Sequence, residues 1–220
     1  MKNKNTFNKI LLVITGFYLC GAIMQNLFAS KTVTFGAVCF TGGTLISWLV
    51  FACLDIITEV WGKKTATSIF TLGAVFNIFF SLVGALLDIL PGTNGVGVNS
   101  LFNLTSGVSL RIAIASPIAF IIGSYANTLI MHKMKEKDAK KTSLTFILRA
   151  SLSTLIGQLL DNGIFFILAF APFLKWGAGL FTSWKTVFTL IITITLIEFI
   201  LETLVAPFTL KVVNKIKGIK

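Results

Sequence analysis

The sequence predicts an all-α, polytopic membrane protein with six transmembrane helices. Hydrophobic residues make up 55% of the 220 residues, charged residues only 12%, and the mean hydropathy is +0.89. Apolar runs of about 20 residues, enough to cross a bilayer as a helix, recur along the chain. Basic residues are concentrated in every second connection between these runs. A soluble domain does not combine these features, so residues 1–220 are predicted to form a single integral membrane domain.

Local signals define the helices in order. The first apolar run is longer than that of a signal peptide, and we interpret it as a retained helix. The second contains Gly42-Gly43, a candidate bend. A Gly- and Asn-rich connection, which is typical of a lid or surface cap, follows the third. Pro117 predicts a kink in the fourth helix, and Pro172 ends the fifth. The predicted helices span residues 10–29, 33–60, 65–87, 110–131, 145–171 and 186–210.

The distribution of charge predicts that both termini lie in the cytoplasm. With 19 Lys and Arg against 8 Asp and Glu, the net charge is +11, which on its own would also suit a nucleic-acid-binding protein. Fourteen lysines, however, fall in connections on one side of the predicted helices, and only Lys31, Lys175, Lys185 and Arg111 fall on the other. This positive-inside pattern predicts the cell inner (cytoplasmic) membrane and no nucleic-acid partner.

Polar side chains follow one face of the fifth predicted helix. A carboxylate near mid-membrane costs about 2.5 to 17 kcal/mol if it faces lipid, so Asp161 is expected to face protein or a water-filled cavity. A hydrogen bond between helices would explain it, but a ligand or ion site is favoured. The residues at helical spacing on this face are Ser151, Thr154, Gln158, Asp161 and Phe165.

Four further acids lie in or near the predicted helices. Asp55 and Glu59 are four residues apart on one face of the second helix, and Glu198 and Glu202 repeat this spacing on the sixth. Asn127, in the fourth helix, adds an amide that can both donate and accept hydrogen bonds. We expect these groups to surround the same interior site.

Arg149 is the cation placed to neutralise one of these acids. At the inner end of its helix, it could pair with either Glu59 or Glu202, and the sequence does not decide between them. One arginine cannot neutralise five acids. A pocket that stays negative and is lined with amides suits a small molecule with several N–H donors, a cationic amine, or a proton pathway.

The residue patterns required for nucleotide hydrolysis, zinc-dependent catalysis and nucleophilic catalysis are absent from the sequence. No Gly-Lys-Ser/Thr phosphate loop, HExxH zinc helix, or Ser or Cys nucleophile with a histidine at suitable depth is present. Intramembrane aspartyl proteolysis would need Asp55 and Asp161 to face each other, and it is disfavoured. The sequence therefore predicts no enzyme, no cofactor and no metal.

Four segments resemble motifs of the queuosine-precursor transporter family, which comprises vitamin-uptake-transporter-like, six-helix membrane proteins. Leu54–Lys64, "LDIITEVWGKK", is similar to the signature D-x-x-T-E-V-Y/W-G-K. Ser153–Phe170, "STLIGQLLDNGIFFILAF", is similar to S-T-x-x-G-Q-x-x-D-T-x-I-F-x-x-I-A-F. Gly123–Lys135 and Glu202–Lys217 resemble two further motifs, so the resemblance touches four of the six predicted helices.

The resemblance implies import of 7-deazaguanine bases for salvage of a tRNA modification. The substrates would be 7-aminomethyl-7-deazaguanine, 7-cyano-7-deazaguanine or queuine. A carboxylate can accept the N–H edge of such a base, an amide can donate to its carbonyl, and an aromatic ring can stack on its plane. The predicted substrate-binding residues are Asp161, Gln158, Glu59, Asp55, Asn127, Asn162, Glu198, Glu202, Arg149, Phe165 and Trp61.

Three positions depart from the family pattern. Asn162 stands where Thr is usual, Ala206 precedes Pro207 where Thr is usual, and Glu198 takes the place of an expected basic residue. The last change makes the pocket more acidic. We therefore expect a preference for the amine-bearing precursors over the neutral nitrile.

Two other functions fit the same sequence. One is the substrate-binding membrane subunit of an importer energised by a separate ATPase module. The other is a membrane accessory protein that transports nothing. Small residues in the third helix, Gly73, Ser81 and Gly84, indicate a face for a homodimer. Membrane lipid is the remaining expected partner.

Overall fold

The computed structural model describes residues 2–29, 32–36, 38–89, 110–138, 142–170 and 183–218. Within these ranges, six helices are long and apolar enough to cross a membrane, which confirms the predicted fold class. Most of the long connection after the third helix, together with Lys31, Pro172 and Lys175, lies outside the described residues. In chain order the elements are α1 (Lys2–Ala29), β1 (Thr32–Phe35), β2 (Val38–Thr41), α2 (Thr44–Trp61), α3 (Lys63–Ile89), α4 (Leu110–Lys137), α5 (Ser143–Phe170) and α6 (Trp184–Lys217).

The predicted start of the second helix is wrong, because a β-hairpin precedes α2. β1 and β2 pair antiparallel, with Phe35 opposite Val38 across a two-residue loop. Their sequences, TVTF and VCFT, are mostly β-branched or aromatic, which favours a strand. Gly36 opens the loop at φ +58°, a backbone conformation that suits a tight hairpin. The pair Gly42-Gly43 lies in the turn before α2 rather than inside a helix.

The helices alternate in direction, so the bundle has two distinct ends. We call one the basic end, where α2, α4 and α6 finish, and the other the hairpin end, where the hairpin packs against α6 and α2. Phe40 of β2 joins an apolar cluster with Phe166 of α5 and Ile194 of α6. The hairpin thereby covers part of the interior at its end of the bundle.

Helix α2 lies at the centre of the bundle. It packs against α1, α3, α4, α5 and α6, and all its residues from Val50 to Glu59 are buried. This stretch is apolar except for Asp55, Thr58 and Glu59. Thr58 satisfies its hydroxyl locally, by donating to the backbone carbonyl of Leu54 at 2.8 Å. The two acids are therefore held in the interior by the most enclosed helix.

The outer surface of the bundle is apolar. Large hydrophobic side chains such as Leu12, Phe79, Leu82, Leu204 and Phe208 are each more than 60% exposed. The acids of α2 and α6 are, by contrast, at most 4% exposed. Such an inverted arrangement is stable only when hydrocarbon surrounds the helices.

Helices α4 and α5 approach closely where Gly123 faces Gly157. A Cβ atom at Gly157 would lie 2.9 Å from the Asn127 Cβ and 3.0 Å from the Gly123 carbonyl oxygen. A Cβ atom at Gly123 would lie 2.7 Å from the Asp161 Cβ. Glycine at both positions allows this crossing, which brings Asn127 and Asp161 to the α4–α5 interface.

Gly73, one residue of the predicted dimer face, packs against other helices of the same chain. A Cβ atom at Gly73 would lie 3.0 Å from the ring of Tyr18 and 3.4 Å from the ring of Phe120. The surroundings of Gly84 lie outside the described part of the structure. The homodimer stays a prediction, and Gly73 is not available to it in this bundle.

Replacing Gly157 with Ala should destabilise the protein. Overpacking of this kind costs about 1–3 kcal/mol, which corresponds to a fall of roughly 2–4 °C in melting temperature for each kcal/mol in a chain of this size. Gly163→Ala, on the same helix, is the matched control, because its Cβ meets nothing within 4 Å. Thermal unfolding of the purified protein in detergent measures both. An equal fall in the two variants would contradict the close crossing.

Candidate functional site

The pocket at the hairpin end contains the two acids nearest to that end. Its empty volume is about 480 Å³, part of which is open solvent at its mouth. Asp161 and Asn162 of α5 and Glu198 of α6 line it, together with the rings of Phe165 and Phe166. Asp161, unlike the other four interior acids, is partly exposed. A solute that enters this hairpin-end pocket meets two carboxylates.

Asn162 joins α5 to α6 inside this pocket. Its Nδ2 donates to the Glu198 Oε2 at 2.6 Å and to the Thr195 Oγ1 at 3.1 Å. Two departures from the family pattern, Asn162 and Glu198, are thus in direct contact. An amide can donate two hydrogen bonds, which a threonine hydroxyl cannot. Asn162 therefore holds the carboxylate of Glu198 in place.

A second polar chain, which the sequence did not predict, borders the same pocket. The Ser116 Oγ of α4 donates to the Asn26 Oδ1 of α1 at 2.8 Å, and the Asn26 Nδ2 donates to the Asn77 Oδ1 of α3 at 2.9 Å. Gln25, Asn26 and Ser116 line the pocket. The sequence signal for this chain was the pair of amides, Gln25 and Asn26, near the end of the first apolar run.

The middle of the bundle contains a layer of buried polar groups. Asp55, Asn127, Gln158 and Glu202 come from α2, α4, α5 and α6, and each is 0% exposed. The Asn127 Nδ2 donates to the Asp55 Oδ1 at 2.9 Å. The structure thus brings together four of the predicted residues, but neither of the two pockets at the ends is lined by them.

Many atoms of this middle layer lack a hydrogen-bond partner. They are the Asp55 Oδ2, the Asn127 Oδ1, both carboxylate oxygens of Glu202, and both amide atoms of Gln158. Buried polar groups in folded proteins are nearly always satisfied, so a concentration of unsatisfied ones marks a site that receives protons, water or a ligand.

At the basic end, Glu59 is surrounded by cations from three other helices. The Arg149 Nη1 of α5 lies 3.5 Å from the Glu59 Oε2, and the Lys135 Nζ of α4 lies 3.8 Å from the Oε1. Lys217 of α6 donates a hydrogen bond to the Oε1. Arg149 also approaches Asp138, with 3.6 Å between Nε and Oδ2. Arg149 therefore pairs with Glu59, which resolves the choice that the sequence left between Glu59 and Glu202.

This cluster forms one wall of a second pocket. The basic-end pocket, of about 650 Å³, is lined by Glu59, Arg149, Lys135 and Lys217. It is separate from the hairpin-end pocket, and no residue lines both. The ion pairs tie the ends of α2, α4, α5 and α6 together between the pocket and the middle layer.

The two predicted aromatic residues have different positions. Phe165 lines the hairpin-end pocket, with its ring edge against Phe166 at a centroid distance of 5.4 Å. Trp61 lies at the basic end of α2, where its ring packs against Phe7 at 4.8 Å. Trp61 lines neither pocket, so the structure does not bring it to the other predicted residues.

In the described part of the chain, six helices long and apolar enough to cross a membrane surround a polar interior with a pocket at each end, which is the architecture of an integral membrane protein. A family model described as "Putative vitamin uptake transporter" matches residues 41–212, and the chain belongs to this family. The comparisons with curated proteins and with solved structures find no match. The protein is a multi-pass membrane transporter, and the resemblance to vitamin-uptake-like proteins is confirmed.

Replacing Glu59 with Gln should lower the free energy of unfolding by about 3 kcal/mol or more, because breaking a buried ion pair leaves an uncompensated charge. Glu136→Gln is the control. Its side chain is 65% exposed and contacts only His132 among the ion pairs described, so its loss should cost at most about 1 kcal/mol. Chemical unfolding in detergent measures both variants. Equal stability of the two would contradict the role of Glu59 as the tie between four helices.

Proposed function

We propose that this protein imports 7-deazaguanine precursors of queuosine across the cell inner membrane, and that the hairpin-end pocket is where the base binds. One observation carries the proposal: an open pocket is lined by two carboxylates, several amides and aromatic rings. Together these are the groups that recognise a flat base with an N–H edge and a basic substituent.

Each part of the base has a matching group in the pocket. Asp161 can accept both N–H bonds of the guanidine-like edge, and charge-assisted hydrogen bonds of this kind are strong. Phe165 offers a ring for stacking on the base. Gln25, which also lines the pocket, has an amide that can donate to the carbonyl oxygen of the base. Glu198, held by Asn162, can pair with the ammonium of an aminomethyl group.

Two observations indicate the direction of transport: the distribution of lysines along the chain, and the position of Asp161 and Glu198 in the hairpin-end pocket. The lysine distribution predicts that the basic end faces the cytoplasm and the hairpin end faces outside. At the basic end, the ion pairs of Glu59 join α2 to α4, α5 and α6. The conformation is therefore suited to receiving a base from outside, and opening at the basic end would require Glu59 to release its cations.

Uptake of labelled 7-aminomethyl-7-deazaguanine tests the proposal. Cells that lack their own synthesis and transport of such bases, and that express this chain alone, should accumulate the label. Asp161→Asn should weaken binding about 10- to 150-fold, because a hydrogen bond to a charged group contributes about 1.5–3 kcal/mol and 1.4 kcal/mol is tenfold. Glu136→Gln, an exposed acid far from the pocket, should leave uptake unchanged.

The same experiment separates the other candidates. No uptake despite normal membrane expression, restored when an ATPase module is supplied, would favour a substrate-binding subunit. No uptake in either case, with a partner complex disturbed by Asp161→Asn, would favour an accessory protein. A homodimer would appear as a doubled mass of the purified transporter.

Specificity gives a second test. Glu198→Gln removes the charge that would pair with an ammonium but keeps a hydrogen-bonding group of the same shape. Affinity for 7-aminomethyl-7-deazaguanine should fall at least about tenfold, while affinity for the neutral 7-cyano-7-deazaguanine should change little. Competition for uptake measures both. Equal effects on the two bases, or none with Glu198→Lys, would contradict the role of Glu198 in choosing the amine-bearing precursor.

A further inference from the structure

Asp55 of α2 and Glu202 of α6 form a buried carboxyl pair in the middle layer. Both side chains are 0% exposed, and the two groups interact electrostatically. Three of their four oxygens, the Asp55 Oδ2 and both oxygens of Glu202, have no hydrogen-bond partner. Two negative charges in a medium of low dielectric constant repel each other strongly, so the pair is stable only if it holds positive charge.

Among the described residues, no ion pair joins a cation to Asp55 or Glu202. Arg149 of α5 acts on Asp55 from a distance, but its ion pairs are made with Asp138 and with Glu59, which is one turn away from Asp55. Lys135 and Lys217 also pair with Glu59. Glu59 adds a further negative charge near Asp55, and the Cys53 thiol is the titratable neighbour of Glu202. Among the described residues of α4, Asn127 is the group that contacts the pair, and it is neutral.

The hydrogen-bonding groups around the pair include more unsatisfied acceptors than donors. The Asn127 Nδ2 already donates to Asp55, and the Asn127 Oδ1, fully buried beside it, is an unsatisfied acceptor. The Thr154 hydroxyl, near Asp55, can supply one donor. Asp55, Glu202 and Asn127 together leave four acceptor atoms without a partner. A proton on one carboxyl turns an acceptor into a donor and relieves this imbalance.

We propose that Asp55 and Glu202 are a proton-binding site in a proton path that runs from the hairpin-end pocket to the basic-end pocket and drives import. Glu198 lines the first pocket and Glu59 lines the second. Glu198 and Glu202 are four residues apart on α6, as Asp55 and Glu59 are on α2, and such pairs lie about 5–6 Å apart between Cβ atoms. The carboxyl pair connects the two helices, so four acids form a continuous series.

Each step in this series is a simple proton transfer. The O–H bond of one protonated carboxyl breaks as an O–H bond forms on the next carboxylate. Arrival of the proton at Glu59 also loosens the basic end, because a protonated Glu59 no longer attracts Arg149, Lys135 and Lys217. A proton needs no cavity, whereas a base needs one, which is why this site is distinct from the hairpin-end pocket.

The link to transport rests on the proposed function. An ammonium group bound at Glu198 stabilises the carboxylate form of that residue. The proton of Glu198 then moves to Glu202, one turn deeper. Binding of an amine-bearing base at the hairpin end therefore transfers a proton to the carboxyl pair.

The test uses the purified full chain in lipid vesicles, with the membrane potential held at zero. With an inward proton gradient of one pH unit, worth about 1.4 kcal/mol, wild type should accumulate labelled 7-aminomethyl-7-deazaguanine up to about tenfold, and a pH dye inside should report acidification. A sodium gradient alone should drive no accumulation. Asp55→Asn and Glu202→Gln should abolish the gradient-driven accumulation and the acidification while one-for-one exchange of labelled base persists. Glu136→Gln should behave as wild type.

Gradient-driven accumulation in Asp55→Asn and Glu202→Gln equal to that of wild type would overturn the proposal, as would accumulation driven by sodium alone. Loss of exchange in both variants would also overturn it, because the pair would then belong to the site of the base.

Infrared spectroscopy tests the proton site without any substrate. The wild-type protein should show the carbonyl stretch of a protonated carboxylic acid, and the double variant Asp55→Asn, Glu202→Gln should lose the part of this band that the pair contributes. Absence of this band from wild type at every pH would overturn the proton site. If the band is present but wild type neither binds nor exchanges a 7-deazaguanine, the proton site stands and the proposed substrate fails.

Discussion

The structure depends on one constraint: a carboxylate cannot face the hydrocarbon of a membrane without a cost of several kcal/mol. This chain carries Asp55, Glu59, Asp161, Glu198 and Glu202 within its membrane helices, and all five are turned inward. Enclosing them requires an apolar exterior, a central helix that is buried on every side, and a glycine crossing that lets α4 and α5 approach closely. The fold is the arrangement that satisfies this constraint.

The inward acids differ in their surroundings, and these differences separate their roles. Asp161 and Glu198 line an open pocket with Asn162 and Phe165. Glu59 is neutralised by cations that tie four helices at the opposite end. Between them, Asp55 and Glu202 are buried without an ion pair of their own among the described residues. The proposed solute site, the proposed proton site and the ion pairs of Glu59 thus occupy three successive depths.

The sequence predicts the six helices because hydropathy and helical rise are local properties. It misassigns residues 33–43, because a short apolar run with β-branched residues also resembles the start of a membrane helix. Only Gly36 and the alternation of side chains favoured a hairpin there, and these signals are weak beside a long apolar run.

The contacts of the site depend on the rotation and depth of separate helices, which a single sequence does not specify. Helical spacing placed Gln158 and Asp161 on one face, but they lie in different environments, one in the middle layer and one in the pocket. Arg149 could reach Glu59 or Glu202 by depth alone, and only the packing decides. Lys135 and Lys217 were missed because α4 and α6 continue past their predicted ends, which lets long lysine side chains reach back to a buried acid.

The most direct test of this account is a structure of the purified protein with 7-aminomethyl-7-deazaguanine bound. We expect the base in the hairpin-end pocket, with its N–H edge on Asp161, its ring against Phe165 and its ammonium at Glu198. A base bound in the basic-end pocket, or in the middle layer between Asp55 and Glu202, would contradict the separation of the solute site from the proton site.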